Sequence, residues 1–212
     1  RVRVDSTTAV GTYRETVTVT DSATATKTLI ITVVVNPVVK ITNGPTGSNG
    51  SLSYSGSGTP TSIPANSFPS NLGDFTVSWW QNLSDATFST EREWSFGKWP
   101  TANLGVSEEA NGFWLWCSVC GNNSGQTNAV HTTYLPLNNG AGLVNSWHHF
   151  EIDRVGTTAW VYVDGSLWQT YTLASNGTID LSTQGLYLGG DEAGAALTGK
   201  LTNFLIRNVA TH

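Results

Sequence analysis

The chain has 212 residues, enough for one all-β sandwich plus a short appendage, so one core rather than two is expected. It carries 22 Gly, 9 Trp and only 12% charged residues among long stretches of Thr, Ser and Asn, and no window repeats apolar residues at helical spacing, which favours strands and turns over helices. A formal net charge of -5 offers no basic patch to neutralise phosphates, which argues against nucleic acid, and against acidic polymers, as partners.

No apolar run is long enough to span a bilayer and no basic-then-apolar leader is present, so membrane insertion is not expected. With Arg1 first and no Met, the chain is expected to be a processed product or a fragment, any export signal having been removed or lying upstream. The low charge, hydroxyl-rich strands and few Lys suit an extracellular protein, on a cell surface or a virion surface.

In chain order, Gly11-Thr12-Tyr13 and Thr16-Val17-Thr18-Val19-Thr20 lead to a turn at Asp21-Ser22, followed by Thr28-Leu29-Ile30-Ile31-Thr32-Val33-Val34-Val35. Alternation on both sides of a polar turn predicts a β-hairpin over residues 1–36. It resembles the last two strands of bacterial immunoglobulin-like or cadherin-like repeats. Two strands alone are marginal in water. The hairpin must therefore pack on the sandwich, pair with another chain or belong to a larger domain, and it offers a route to homo-oligomers or larger assemblies. Asn36-Pro37 breaks the strand and reads as the linker.

From 37 to 212 short strands alternate with turn clusters, among them Asn43-Gly44-Pro45, Asn71-Leu72-Gly73 and Asn138-Asn139-Gly140, the spacing of a sandwich. Phe75, Val77 and Trp79 share one face of a strand, predicted to be the core face, while Thr76, Ser78 and Trp80 take the half-exposed one. Phe113, Leu115 and Cys117 likewise alternate with Trp114 and Trp116, so both sets cannot belong to one core. With the first set inward, the two tryptophans line an outer, concave face. Trp80, Trp94, Trp99, Trp114, Trp116 and Tyr134 are the candidate ligand-binding residues, because flat apolar rings stack on sugars or anchor protein interfaces. A loop or the hairpin covering Trp114 and Trp116 is the competing expectation.

Further on, Trp147-His148-His149-Phe150-Glu151-Ile152-Asp153 and Trp160-Val161-Tyr162-Val163-Asp164-Gly165 form consecutive hairpin strands joined at Val155–Thr158. Asp164-Gly165 predicts a type I′ turn. Adjacent histidines on a strand face opposite ways and cannot chelate together, and one of them is expected to be buried beside a Trp147 core. Leu201 and Phe204 have opposite parity, which requires a β-bulge between them if both face the core. Cys117 and Cys120 are expected to form a short-range disulfide, with free thiols as the alternative, since a zinc ribbon needs a second pair.

The Trp147–Phe150 and Tyr162–Gly165 segments, Leu186–Gly190 and Leu197–Arg207, with Ser51–Tyr54 and Asp74–Trp80, resemble laminin-G-like domains of the concanavalin A-like lectin and glucanase jelly rolls. The resemblance covers most of Val38 to His212. It implies an all-β, antiparallel two-sheet jelly-roll sandwich preceded by a β-hairpin, and a non-catalytic extracellular binding or adhesion module for a glycan or a surface protein. The alternative is an assembly subunit of a phage virion, as decoration or fibre protein, or of a cell-surface filament. Some domains of this type hold calcium at the rim, and Asp74, Asp191 and Glu192 are the candidates for it. Glycosidases on this jelly roll carry a Glu-x-Asp motif followed by a second Glu. Here Glu151 and Asp153 fit the start, but Val155-Gly156 stands where the acid belongs, so they are expected to be the polar face of a strand that buries Phe150 and Ile152. No enzyme is expected.

Overall fold

In a computed structural model of the chain, the described residues are 11–20, 26–35, 39–41, 51–84, 91–109, 112–123, 126–195 and 197–210. The chain divides into two compact units, Arg1–Val38 and Val39–His212. The first contains an antiparallel ribbon of β1 (Gly11–Thr20) and β2 (Thr26–Val35), in register from Gly11 opposite Val35 to Thr20 opposite Thr26.

The second unit begins with β3 (Val39–Ile41), β4 (Leu52–Ser55), β5 (Thr61–Ile63) and β6 (Phe75–Leu83). Next come β7 (Glu91–Phe96), β8 (Leu104–Glu109) and β9 (Gly112–Cys117), the two-residue strands β10 (Asn122–Asn123) and β11 (Gln126–Thr127), and β12 (Ala129–His131). Then follow β13 (His148–Val155), β14 (Thr158–Val163), β15 (Ser166–Thr172) and β16 (Leu186–Leu188). The short β17 (Gly190–Asp191) and β18 (Gly194–Ala195) precede β19 (Thr198–Arg207). Seven strands make one antiparallel sheet in the order β15-β14-β13-β6-β19-β3, with β4 also paired to β19, and six make the other in the order β12-β9-β8-β7-β16-β5. The chain is therefore an all-β, two-sheet sandwich with a separate hairpin. No helix among the described residues is long and apolar enough to cross a membrane.

The core lies between the sheets and is set by strand alternation. Phe75, Val77 and Trp79 of β6 and Phe150 and Ile152 of β13 are buried against Trp94, Phe96, Leu104, Val106, Phe113 and Leu115 of the facing sheet. Trp79 stacks on Phe150 with centroids 5.3 Å apart and meets Trp94 edge-on at 5.5 Å, and Trp94 in turn meets Phe204 at 5.2 Å. The Trp79 indole N–H donates to Gln81 Oε1 at 2.7 Å, and Gln81 Nε2 donates across the core to Glu108 Oε2 at 3.0 Å. The pairing of β19 with β6 slips between Thr202 and Leu205, with Asn203 at φ +52°, and this bulge lets both Leu201 and Phe204 face inward, as their parity required. At the β14–β15 turn Asp164 and Gly165 both have positive φ, +50° and +77°, as a type I′ turn demands.

Arg154 ends the core row of β13 and is 1% exposed. Its guanidinium donates to the carbonyls of Gly73, Gly156, Ser175 and Gly177 at 2.8–3.3 Å, and burial lowers its pKa against the raising effect of the Asp74 charge. One side chain thus ties three loops to the sheet end. Arg154→Ala strands four carbonyls and should cost about 3 kcal/mol in urea unfolding. Arg154→Lys should recover less than half of that, since an ammonium lacks the planar fork.

Candidate functional site

On β9, Phe113, Leu115 and Cys117 lie in the core while Trp114 and Trp116 lie on the outer face of the six-stranded sheet, as alternation predicts. Those two tryptophans are only 4% exposed each. Their rings stack 5.2 Å apart, His131 stacks on Trp114 at 3.9 Å, and Trp99 from the β7–β8 loop meets Trp116 edge-on at 5.8 Å. The Trp116 indole N–H donates to Ser107 Oγ at 3.0 Å. The expectation that Trp114 and Trp116 are displayed is therefore corrected: neighbouring side chains cover them. Trp94 is corrected too, because it is 0% exposed between the sheets, where no ligand reaches it.

The cover is anchored by Asp191. Its Oδ2 accepts from Arg92 Nη1 at 2.8 Å and from the Trp99 backbone N–H at 3.3 Å, its Oδ1 accepts from the Ala193 N–H at 2.7 Å, and the Arg92 guanidinium sits 5.6 Å from the Trp99 ring centre. Those oxygens hold a loop. Asp74 is spent elsewhere, accepting from the Gly156 N–H at 2.8 Å, and Glu192 is exposed. Among the described residues no group of three or more His, Cys, Asp or Glu is placed to hold a metal ion, so the calcium set Asp74, Asp191 and Glu192 is not assembled. Cys117 and Cys120 form a disulfide at the end of β9. The stapled turn starts the return of the chain, which brings Ala129 of β12 beside Trp116.

The outer face of the seven-stranded sheet differs. Trp80 projects from β6, an interior strand, and is 38% exposed, with His149 of β13 opposite it on one side and Thr202 of β19 on the other. The Trp80 and His149 rings are 5.2 Å apart and tilted by 46°. One residue pair along, Ser78 lies opposite Glu151, which lies opposite Tyr162; in the other direction Asn82 lies opposite Lys200. Glu151 and Asp153 share this face while Phe150 and Ile152 are buried, but Asp153 is 0% exposed and accepts a hydrogen bond from the Thr76 hydroxyl. Burial, then the charges of Asp153 and Glu151, raise the Tyr162 pKa. Gly156 belongs to the β13–β14 turn and places no carboxyl on this face. Tyr134, 47% exposed, stands apart from both tryptophan groups, edge-on to Trp168 at 5.8 Å.

Trp147 is 40% exposed, which corrects the expectation that it belongs to a core. His148 is hydrogen-bonded through Nδ1 to Asp164 Oδ2 at 2.8 Å, while Asp164 Oδ1 accepts from the His149 N–H at 2.9 Å. Partial burial works to raise the Asp164 pKa, but the His148 hydrogen bond, the His149 N–H and the charge of both imidazoles outweigh it and hold the carboxyl below its ordinary value. A depressed carboxyl stabilises the fold above its unfolded pKa and loses that contribution as pH falls through the folded one. The stability advantage of the wild type over Asp164→Asn should thus be present at pH 6 and shrink steadily below about pH 4, measured by urea unfolding across pH.

No family model matches the chain, and no curated protein matches it. Among solved structures, the receptor binding domain of botulinum neurotoxin D superposes with a TM-score of 0.51 at 14% identity, covering 76% of this chain and 40% of that one. Mouse laminin alpha1 chain, domains LG4-5, gives a TM-score of 0.49 at 16% identity, covering 75% of this chain and 43% of that one. The two-sheet sandwich is a fold shared with that receptor binding domain. In both comparisons the chain spans less than half of the solved structure.

Proposed function

We propose that this laminin-G-like domain is a non-catalytic binding module that takes a glycan on the outer face of the seven-stranded sheet, with Trp80 as the stacking platform. The observation that carries it is the exposure of Trp80 on an interior strand. An indole there adds nothing to the core, yet it shares its sheet face with polar side chains, Asn82, His149, Glu151, Lys200 and Thr202, of types that hydrogen-bond hydroxyls. An aromatic floor with a polar rim is what a sugar ring requires. The similarly folded toxin chain is described as a receptor binding domain, which supports a binding role by analogy of fold. The disulfide favours an oxidising compartment and hence a location outside the cell, on a cell or virion surface. Trp99, Trp114 and Trp116 pack on the outer face of the other, six-stranded sheet, and Tyr134 lies outside the site.

A second reading, an assembly subunit of a virion or surface filament, draws on the hairpin. Among the described residues β1 and β2 pair only with each other, and a two-stranded ribbon is marginal without a further partner. On a glycan array, Trp80→Ala should lose at least about tenfold in affinity for whichever sugar the wild type binds, while Tyr134→Phe should bind unchanged. Absence of wild-type binding, or equal binding by Trp80→Ala, refutes the glycan reading.

A further inference from the structure

Strand β15 closes one side of the seven-stranded sheet, and among the described residues no strand lies beyond it. Natural edges are usually blunted by charge, proline, shortness or a bulge, because free N–H and C=O groups invite another strand. β15 has seven residues with no charge and no proline, and the uncharged run continues from Ser166 to Ser175. Its bulge lies near the start, opposite Val161 and Tyr162, leaving Gln169–Thr172 in regular register with Thr158–Val161. Leu167, beside the bulge, is 55% exposed.

The ladder phase shows which groups are free. The Leu173 N–H donates to the Thr157 carbonyl at 2.8 Å, so the Leu173 backbone faces β14. Alternation then turns Tyr171 and Gln169 toward β14, and Thr172 and Thr170 toward the open side. The side chain of Gln169 already reaches round to this edge: its Nε2 donates to the Thr170 carbonyl at 3.3 Å, while its Oε1 accepts from the Tyr134 hydroxyl at 3.2 Å. One copy thus partly plugs its own edge.

We propose that β15 is a self-association edge that pairs antiparallel with β15 of a second copy, about a two-fold axis at Thr170, joining two seven-stranded sheets into one. A two-fold axis sets like residues near each other, so an edge bearing Lys or Glu would repel itself, whereas this one meets its copy without like charges. At the axis the two threonines form a β-branched cross-strand pair, each exchanging N–H and C=O with the other. Displacing the Gln169 plug opposes the pairing. The idea is independent of sugar binding at Trp80, which lies on another strand.

Light scattering on the full chain during size-exclusion chromatography, over rising concentration, tests it. The wild type should dimerise, and Thr170→Pro, which removes an outward donor and no β14 hydrogen bond, should be monomeric with an unchanged circular dichroism spectrum. Thr170→Lys, which sets two charges face to face, should weaken dimerisation at least about tenfold and decides the matter if the proline variant fails to fold. Gln169→Ala should tighten the dimer. A wild type that stays monomeric to about 1 mM, or a folded Thr170→Pro or Thr170→Lys that dimerises like the wild type, overturns the proposal.

Discussion

The placing of Trp79 between the two sheets is the constraint on which the rest of the sandwich depends. Its ring is held face-on by Phe150 and edge-on by Trp94, and its N–H is satisfied through Gln81 and Glu108, so it is fixed by packing and by hydrogen bonding at once. Removing a buried indole of this kind ordinarily costs about 3–5 kcal/mol. Because successive strand residues point to opposite faces, fixing Trp79 inward leaves Trp80 no choice but the outer face. The exposed indole is a by-product of the core. The same alternation carries across the sheet, placing His149 and Thr202 on either side of Trp80.

The six-stranded sheet obeys the same rule with the opposite result. Phe113 and Leu115 fix Trp114 and Trp116 outward, yet there the β7–β8 loop folds back and Trp99 and His131 close over them. What decides the difference is a single buried carboxylate. Asp191 gathers Arg92 and the Trp99 backbone, so the cover is held by a charge-assisted bond and a ring contact. With one sheet face sealed by aromatic packing and the other bearing an exposed indole, the two sides of the sandwich are not equivalent.

Sequence pattern alone was sufficient for much of this. The alternation on β6, β9 and β13 assigned the core faces, the Asp164-Gly165 dipeptide its turn, and the opposed parity of Leu201 and Phe204 the bulge, because each depends on residues adjacent in the chain or across one strand pair. The inward parity of Trp94 is legible in the same way: it shares a strand face with Phe96 and so belongs to the core, a signal that aromatic abundance in that third of the chain obscured. Trp147 misled for the opposite reason, since its neighbours Phe150 and Ile152 are buried while it lies just before the strand begins.

Only the tertiary structure decided which outer face is covered. Periodicity states that Trp80, Trp114 and Trp116 all point away from the core, but whether water or a loop meets them depends on Asp191 finding Arg92, 99 positions away, and on Trp99 arriving between them. The carboxylates of Asp74 and Asp191 look alike in the sequence, as rim acids in loops. One binds the turn at Gly156 and the other binds a tryptophan loop, because hydrogen-bond partners distant in the chain are chosen by the fold and leave no periodic trace in the residues around them.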